Sequence, residues 1–194
     1  MTTPKTSHPA LYRAGQFFVA LKAYLPAWAG GVQGDLSPKD ETLVKSILST
    51  PAQQRLFERM PPNDQRHAIA ATRTLRQAGH HQPALMQAAL LHDVGKSLGQ
   101  PIIHRVLIVL FNAFWPAALT WLETTSMDVT TISRWRRPFV VHAQHPAIGA
   151  AWAKDAGCNS MAVSLIAKHQ DRLSNESTEI EKLLAALQWA DDLN

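Results

Sequence analysis

Along this chain the apolar residues recur mostly at intervals of three and four, and no stretch alternates with a period of two for long, so the sequence reads as nearly all helical. Residue chemistry marks the boundaries. Ser37-Pro38 with Asp40 has the form of an N-cap followed by proline in the first turn, leading into Leu43, Val44, Ile47 and Leu48. Asn63 is placed to cap a helix running to Gly79, and Pro83 opens the next, which Gly95 should close. Further helices are expected from Pro146 to about Gly157, after Asn159, and from about Glu176 to the C-terminus. Residues 30–35 and 126–131 read as linkers.

Two apolar segments raise the question of a membrane. Phe17-Phe18-Val19-Ala20-Leu21 is interrupted by Lys22 with no convincing cleavage site after it, which suits an amphipathic helix better than a signal peptide. Residues Val106 to Leu122 form a run without a charge, but Asn112 and Pro116 interrupt it, and its length is at the lower edge of what spans a bilayer. The expectation is a buried or interfacial helix kinked at Pro116. Arg105 before it and the Arg134-Trp135-Arg136-Arg137 cluster after it would suit peripheral contact with anionic lipid.

Reading the helices as faces separates ordinary polar residues from unusual ones. His67 lies in register with Ala71, Leu75 and Ala78. Met86, Ala89 and Leu90 lead to Asp93, while Leu85 and Ala88 lead to His92. Ala162, Leu165 and Ile166 lead to His169, and Ile180, Leu184 and Leu187 lead to Asp191. Four helices thus each place a His or an Asp on the stripe that otherwise builds the core. One such histidine would be read as a satisfied core residue. Four cases, two of them aspartates, demand compensation, because an unpaired buried carboxylate costs several kcal/mol. A divalent metal would satisfy the whole set at once.

Composition narrows the classes. The chain has 194 residues, nine His, nine Asp, a single cysteine (Cys158) and a formal charge of +4. One cysteine excludes an internal disulfide and a cysteine-based zinc knuckle, and it points to the cytoplasm. The basic excess lies in the first half, and the longest basic run is Arg134 to Arg137, too little for a nucleic-acid face.

The order His67, His92-Asp93, His145, His169, Asp191 resembles the HD superfamily of metal-dependent phosphohydrolases, in its HDIG-type branch. Leu91-His92-Asp93-Val94-Gly95-Lys96 matches the signature with Val for Ile, and His145-Pro146-Ala147-Ile148-Gly149-Ala150 matches a His-Pro-x-x-Gly-Ala element of that branch. The similarity spans about residues 63–194. It implies a single helical HD-type domain over 63–194, in line with the all-α fold read from the periodicity; residues 1–62 carry no recognised motif and are expected to form a helical extension packing on that domain. The resemblance also implies that His67, His92, Asp93 and Asp191 hold one metal, Asp93 bridging to a second held by His145 and His169. Such mixed ligands suit Fe, Mn, Zn, Co or Ni. Binuclear members often carry two adjacent histidines where this chain has His169-Gln170, which leaves one ion or two. The Gly-Tyr-Pro extension of cyclic-di-GMP phosphodiesterases is absent.

The implied activity is hydrolysis of a phosphoester or phosphoanhydride of a nucleotide or similar small molecule. Asp93 and Lys96 are the candidate catalytic residues, Lys96 binding phosphoryl oxygens or, alternatively, only capping the preceding helix in solvent; Gln170 and Arg172 flank a proposed ligand and are candidates either for substrate contact or for plain surface. A non-catalytic metal-binding signalling or membrane-surface module is the alternative. His145 precedes a proline and is expected just outside the helix that Pro146 opens, with His142 beside the ligands rather than among them. His80 and His81 are expected in an exposed turn.

Overall fold

Five helices begin on a proline, because a fixed φ and a missing N–H cost nothing where the amide would lack a helical partner anyway. The computed structural model describes residues 36–98, 102–124, 131–173 and 178–194. Within them lie helices α1 (Pro38–Ile47), α2 (Pro51–Glu58), α3 (Pro62–Gln77), α4 (Pro83–Leu91), α5 (Ile102–Phe114), α6 (Pro116–Glu123), α7 (Arg137–Asp155), α8 (Ser160–Lys168) and α9 (Glu179–Asp192), and no strand. The all-α expectation holds. The Phe17 to Leu21 segment, the linker at 30–35 and all but Thr131 of that at 126–131 lie outside the described residues.

Capping explains most of the boundaries. The Ser37 hydroxyl accepts from the Asp40 amide at 3.2 Å, and the Asn159 side chain accepts from the Met161 amide at 2.8 Å, both as the sequence leads one to expect. Thr50 with Gln53 and Thr178 with Glu181 form reciprocal capping boxes. Gly79 and Gly157 take positive φ after α3 and α7, and the amides of His80 and Cys158 reach back to the carbonyls of Leu75 and Ala153.

Three boundaries depart from the sequence expectation. Helix α3 starts at Pro62 without a side-chain cap, so Asn63 lies inside the first turn. The last helix starts at Glu179, on the Thr178 capping box. Gly95 does not close α4, which ends at Leu91; it lies within a 3-10 turn, Val94–Leu98. A Cβ there would come within 2.2 Å of the His145 carbonyl oxygen, so this glycine is needed for a close backbone approach.

The fourth departure matters most for the site. Pro146 does not open a helix; it lies in the middle of α7, and His145 is helical. Proline removes one i to i−4 bond, here the donor that would reach the His142 carbonyl. The expectation of an extended residue before proline fails because α7 continues on both sides, packed against α8 and the 3-10 turn.

Helix α4 is the centre of the main core: Leu85, Ala88, Ala89, Leu90 and Leu91 are fully buried. Leu75 from α3, Leu165 and Ile166 from α8 and Leu187 from α9 pack in the same cluster. Val44, Leu48, Leu56 and Phe57 of α1 and α2 join it. Each such aliphatic or aromatic side chain contributes about 1.5–3 kcal/mol when buried.

The run from Val106 to Leu122 is two helices, not one kinked helix: Trp115, at φ −144° and ψ 63°, breaks it before Pro116. Ile108, Leu119 and Leu122 pack on Phe139 of α7 in a second, smaller cluster. No helix among the described residues is long and apolar enough to cross a membrane.

Candidate metal centre

The ends of α4 and α8 deliver two of the histidines in the same way. His92 and His169 are each the residue that caps the helix C-terminus, where the last four carbonyls lack helical donors. Each ring turns back onto the carbonyl three residues earlier, His92 Nδ1 to Ala89 at 3.0 Å and His169 Nδ1 to Ile166 at 2.8 Å. His145, inside α7, does the same: its Nδ1 lies 2.6 Å from the His142 carbonyl, the one that Pro146 deprives of its amide. A carbonyl oxygen only accepts, so all three Nδ1 atoms must donate. The three Nε2 atoms are left to face the interior, the arrangement by which a hydrogen bond on one ring nitrogen orients the other toward a metal.

Those nitrogens converge on Asp93. His145 Nε2 lies 3.4 Å and His169 Nε2 3.7 Å from Asp93 Oδ1, and the two nitrogens are 3.1 Å apart. With both Nδ1 protons committed to carbonyls, two neutral imidazoles would oppose lone pairs, so a proton or a cation is required between them. Nitrogens at this spacing suit neighbouring ligands about 2.1 Å from one ion. Asp93 Oδ1 is buried and has no hydrogen-bond partner. A buried carboxylate oxygen without a donor fits a cation site.

A second group overlaps the first. His67, His92 and Asp93 bring one ligand atom each within 4.8 Å of one another, as do Asp93, His145 and His169, so Asp93 belongs to both. Asp191 closes the first: its Oδ1 is 2.7 Å from His67 Nε2 and 3.2 Å from His92 Nε2. These buried His and Asp groups could hold a metal ion. The side chains of His92 and His145 are fully sealed, whereas His67 is 25% and Asp191 33% exposed, so the site opens on the side of α3 and α9.

Electrostatics follow from this crowding. Burial disfavours the charged form of His92, but the carboxylates of Asp93 and Asp191 outweigh it and raise its pKa to about 9. Burial likewise opposes ionisation of Asp93, yet Lys96 and His92 hold it well below the usual carboxylate range. Asp191 is lowered too, with His92 overcoming the burial penalty. His145 goes the other way, since burial favours its neutral form. Lys96 Nζ sits 2.5 Å from Asp93 Oδ2.

All six residues expected to ligate metal are therefore brought together, with Lys96 against one of them. Gln170 and Arg172 are exposed beside His169 in sequence. His142 stacks on the His145 ring, at 6.0 Å between centroids, and its Nε2 lies 3.8 Å from Glu123. His80 is partly buried rather than exposed, while His81 is exposed.

The sequence reading passed over Asp64, a buried carboxyl in the first turn of α3. Burial, then the charge of Asp93, raises its pKa to about 6. The signal was available: the inward stripe of His67, Ala71 and Leu75 extends back three residues to Asp64. It also missed Gln188, whose amide donates to the carbonyls of His169 and Asp171 and ties α9 to the end of α8; no periodicity marks that bond. No family model, curated protein or solved structure matches the chain.

Proposed function

We propose that this chain is a metal-dependent phosphohydrolase that cleaves a phosphoester or phosphoanhydride of a nucleotide or similar small molecule. The observation that carries the reading is the set of inward Nε2 atoms around an unpartnered oxygen of Asp93. The resemblance of the motifs to the HD superfamily supports the same reading.

Imidazole and carboxylate ligands together suit Fe, Mn, Zn, Co or Ni, as one ion or two. His67, His92, Asp93 and Asp191 would hold one, and Asp93, His145 and His169 a second. Held by these residues, a metal would supply Lewis acidity that activates water for attack at phosphorus. Substrate would enter beside His67 and Asp191, the partly exposed members of the set. Lys96, on the 3-10 turn, exchanges its pairing with Asp93 for the phosphoryl oxygens and neutralises charge that develops on them. Packing seals His92 and His145 from bulk water and holds their rings against backbone carbonyls, so little reorganisation is left for the reaction itself.

The test pairs metal analysis of protein purified without added metal with phosphate release from a panel of mono-, di- and dinucleoside phosphates. Bound transition metal and turnover in the wild type, both lost in Asp93→Ala, is the expected result. Protein that binds metal but releases no phosphate from any member would favour the metal-binding module without catalysis. Protein that stays metal-free and inactive after reconstitution with each of the five metals overturns the reading.

A further inference from the structure

Helix α5 carries polar residues only at His104, Arg105 and Asn112, and its apolar residues extend round the helix beyond the side that is covered. Its inward stripe, Ile108 and Phe111, packs on Leu119, Leu122 and Phe139. At 100° per residue Ile103, Leu110 and Phe114 form a second stripe within about 40° of arc, and all three are exposed. Phe114 is 77% exposed, Trp115 at the break 69%, Trp121 on α6 66% and Trp135, in the segment before α7, 58%. A chain does not leave four large aromatic rings and two long aliphatic side chains in water without a use for them.

Charge says which partner suits this surface. From residue 102 to 122 the sequence contains no acid, and after Glu123 and Asp128 the segment before α7 carries Arg134, Arg136 and Arg137 around Trp135. The Arg136 guanidinium donates to the carbonyls of Trp121, Leu122 and Thr124, capping α6, and lies 5.4 Å from the centre of the Trp121 ring. The most exposed ring of α6 is therefore held beside a cation rather than left to collapse onto the hairpin. Exposed Arg134 adds charge next to Trp135. Tryptophan bodies with polar tips, aliphatic side chains that enter an acyl layer and guanidinium groups that meet phosphate make up an interfacial lipid-binding surface.

From this we infer that the outer face of the α5–α6 hairpin, with Trp135 and Arg134, docks peripherally on an anionic phospholipid surface. Phe114, Trp115, Trp121 and Trp135 enter the headgroup boundary, and exposed Arg134 sets the preference for negative lipid. The helices lie on the membrane and do not cross it. The inference stands apart from the catalytic proposal, since none of these residues belongs to the metal centre.

Flotation of the full chain with phosphatidylserine-rich vesicles and with phosphatidylcholine vesicles tests it. The expected result is binding to the first, weak binding to the second, and loss as salt rises. Phe114→Ser with Trp121→Ser should weaken binding by about tenfold or more with metal content and circular dichroism unchanged. Arg134→Gln should weaken it by about fivefold on anionic vesicles only. In the wild type, brominated acyl chains should quench tryptophan fluorescence, which does not depend on any variant folding. Absence of binding at low salt, or equal binding by the double variant, overturns the inference. So does a dimer in light scattering that Phe114→Ser abolishes, which would assign the face to a second copy of the chain.

Discussion

His145 and His169 meet Nε2 to Nε2 at 3.1 Å with both Nδ1 atoms already donating to backbone carbonyls, so their approach needs something positive between them. Elsewhere in the cluster a proton already answers the carboxylates: His92, between Asp93 and Asp191, has its pKa raised to about 9. A folded pKa raised above the ordinary 6.5 contributes stability that is complete below about pH 6.5 and disappears as pH rises through about 9. A metal held by His92 Nε2 must expel that proton. Calorimetric metal titrations in buffers of different ionisation enthalpy should therefore show about one or more protons released per site at pH 7, declining above pH 9. Metal at a thousandfold excess over its dissociation constant should stabilise the protein by about 4 kcal/mol, and His145→Gln should remove most of this.

Asp64 gives a second pH dependence with a definite sign. Its carboxyl is raised from 3.8 to about 6 by burial and by Asp93, so the folded state holds a proton that the unfolded chain releases. Stability from this group is full below about pH 4 and is lost as pH rises through 6, by about 3 kcal/mol at most. Asp64→Asn in metal-free protein should be more stable than wild type at pH 7 and indistinguishable at pH 4. Urea unfolding at the two pH values decides it; a variant that is less stable at pH 7 would show the carboxylate to be favourable where it sits.

Gly95→Ala tests the joint between the 3-10 turn and α7. The added Cβ would meet the His145 carbonyl oxygen at 2.2 Å and backbone carbons at 2.9 Å, none of which can move without moving the ring. Overpacking of this kind costs about 1–3 kcal/mol. Metal affinity should fall with stability. Gly149→Ala, whose Cβ would meet its nearest neighbours at 3.3 Å, should be the milder change in both measurements.

Lys96→Met separates catalysis from metal binding. The lysine pairs with Asp93 but offers no ligand atom while charged, so metal content should persist. Phosphate release should drop by about a hundredfold or more, the usual size for a lost electrostatic stabiliser, mainly in kcat. Equal loss of metal would recast Lys96 as a support for Asp93.

Much of this site was legible before any coordinates. Four apolar stripes each end in or carry a His or Asp, and the structure brings His67, His92, Asp93, His169 and Asp191 to one place because those stripes are the faces that pack together; His145, which joins them, was marked only by its motif. The caps at Ser37 and Asn159 and the positive φ of Gly79 and Gly157 are local chemistry, so neighbouring residues suffice to read them. What escaped depends on tertiary contact. Gly95 looked like a helix stop, but its lack of a side chain answers to a carbonyl fifty positions away in sequence. Pro146 looked like a helix start because a local preference for extended backbone was overridden by packing on both sides of it. Trp115 parted two helices where the uncharged run suggested one helix kinked at Pro116.

The proline within α7 leads to the last prediction. At the ends of α4 and α8 an imidazole finds a spare carbonyl because the helix stops; in mid-helix every carbonyl is normally claimed by an amide. An imino acid at 146 lifts that claim at one oxygen, and the oxygen belongs to the residue from which the His145 ring can be steered. Position 146 thus acts as a tautomer selector. Pro146→Ala would return an amide to compete for the His142 carbonyl and let the ring carry its proton on Nε2, where it cannot ligate. The variant should have a sounder helix and a poorer metal site, with unfolding free energy of the metal-free protein unchanged or raised while metal affinity falls about tenfold. The irregularity that costs α7 a backbone bond is what makes one of its histidines a ligand.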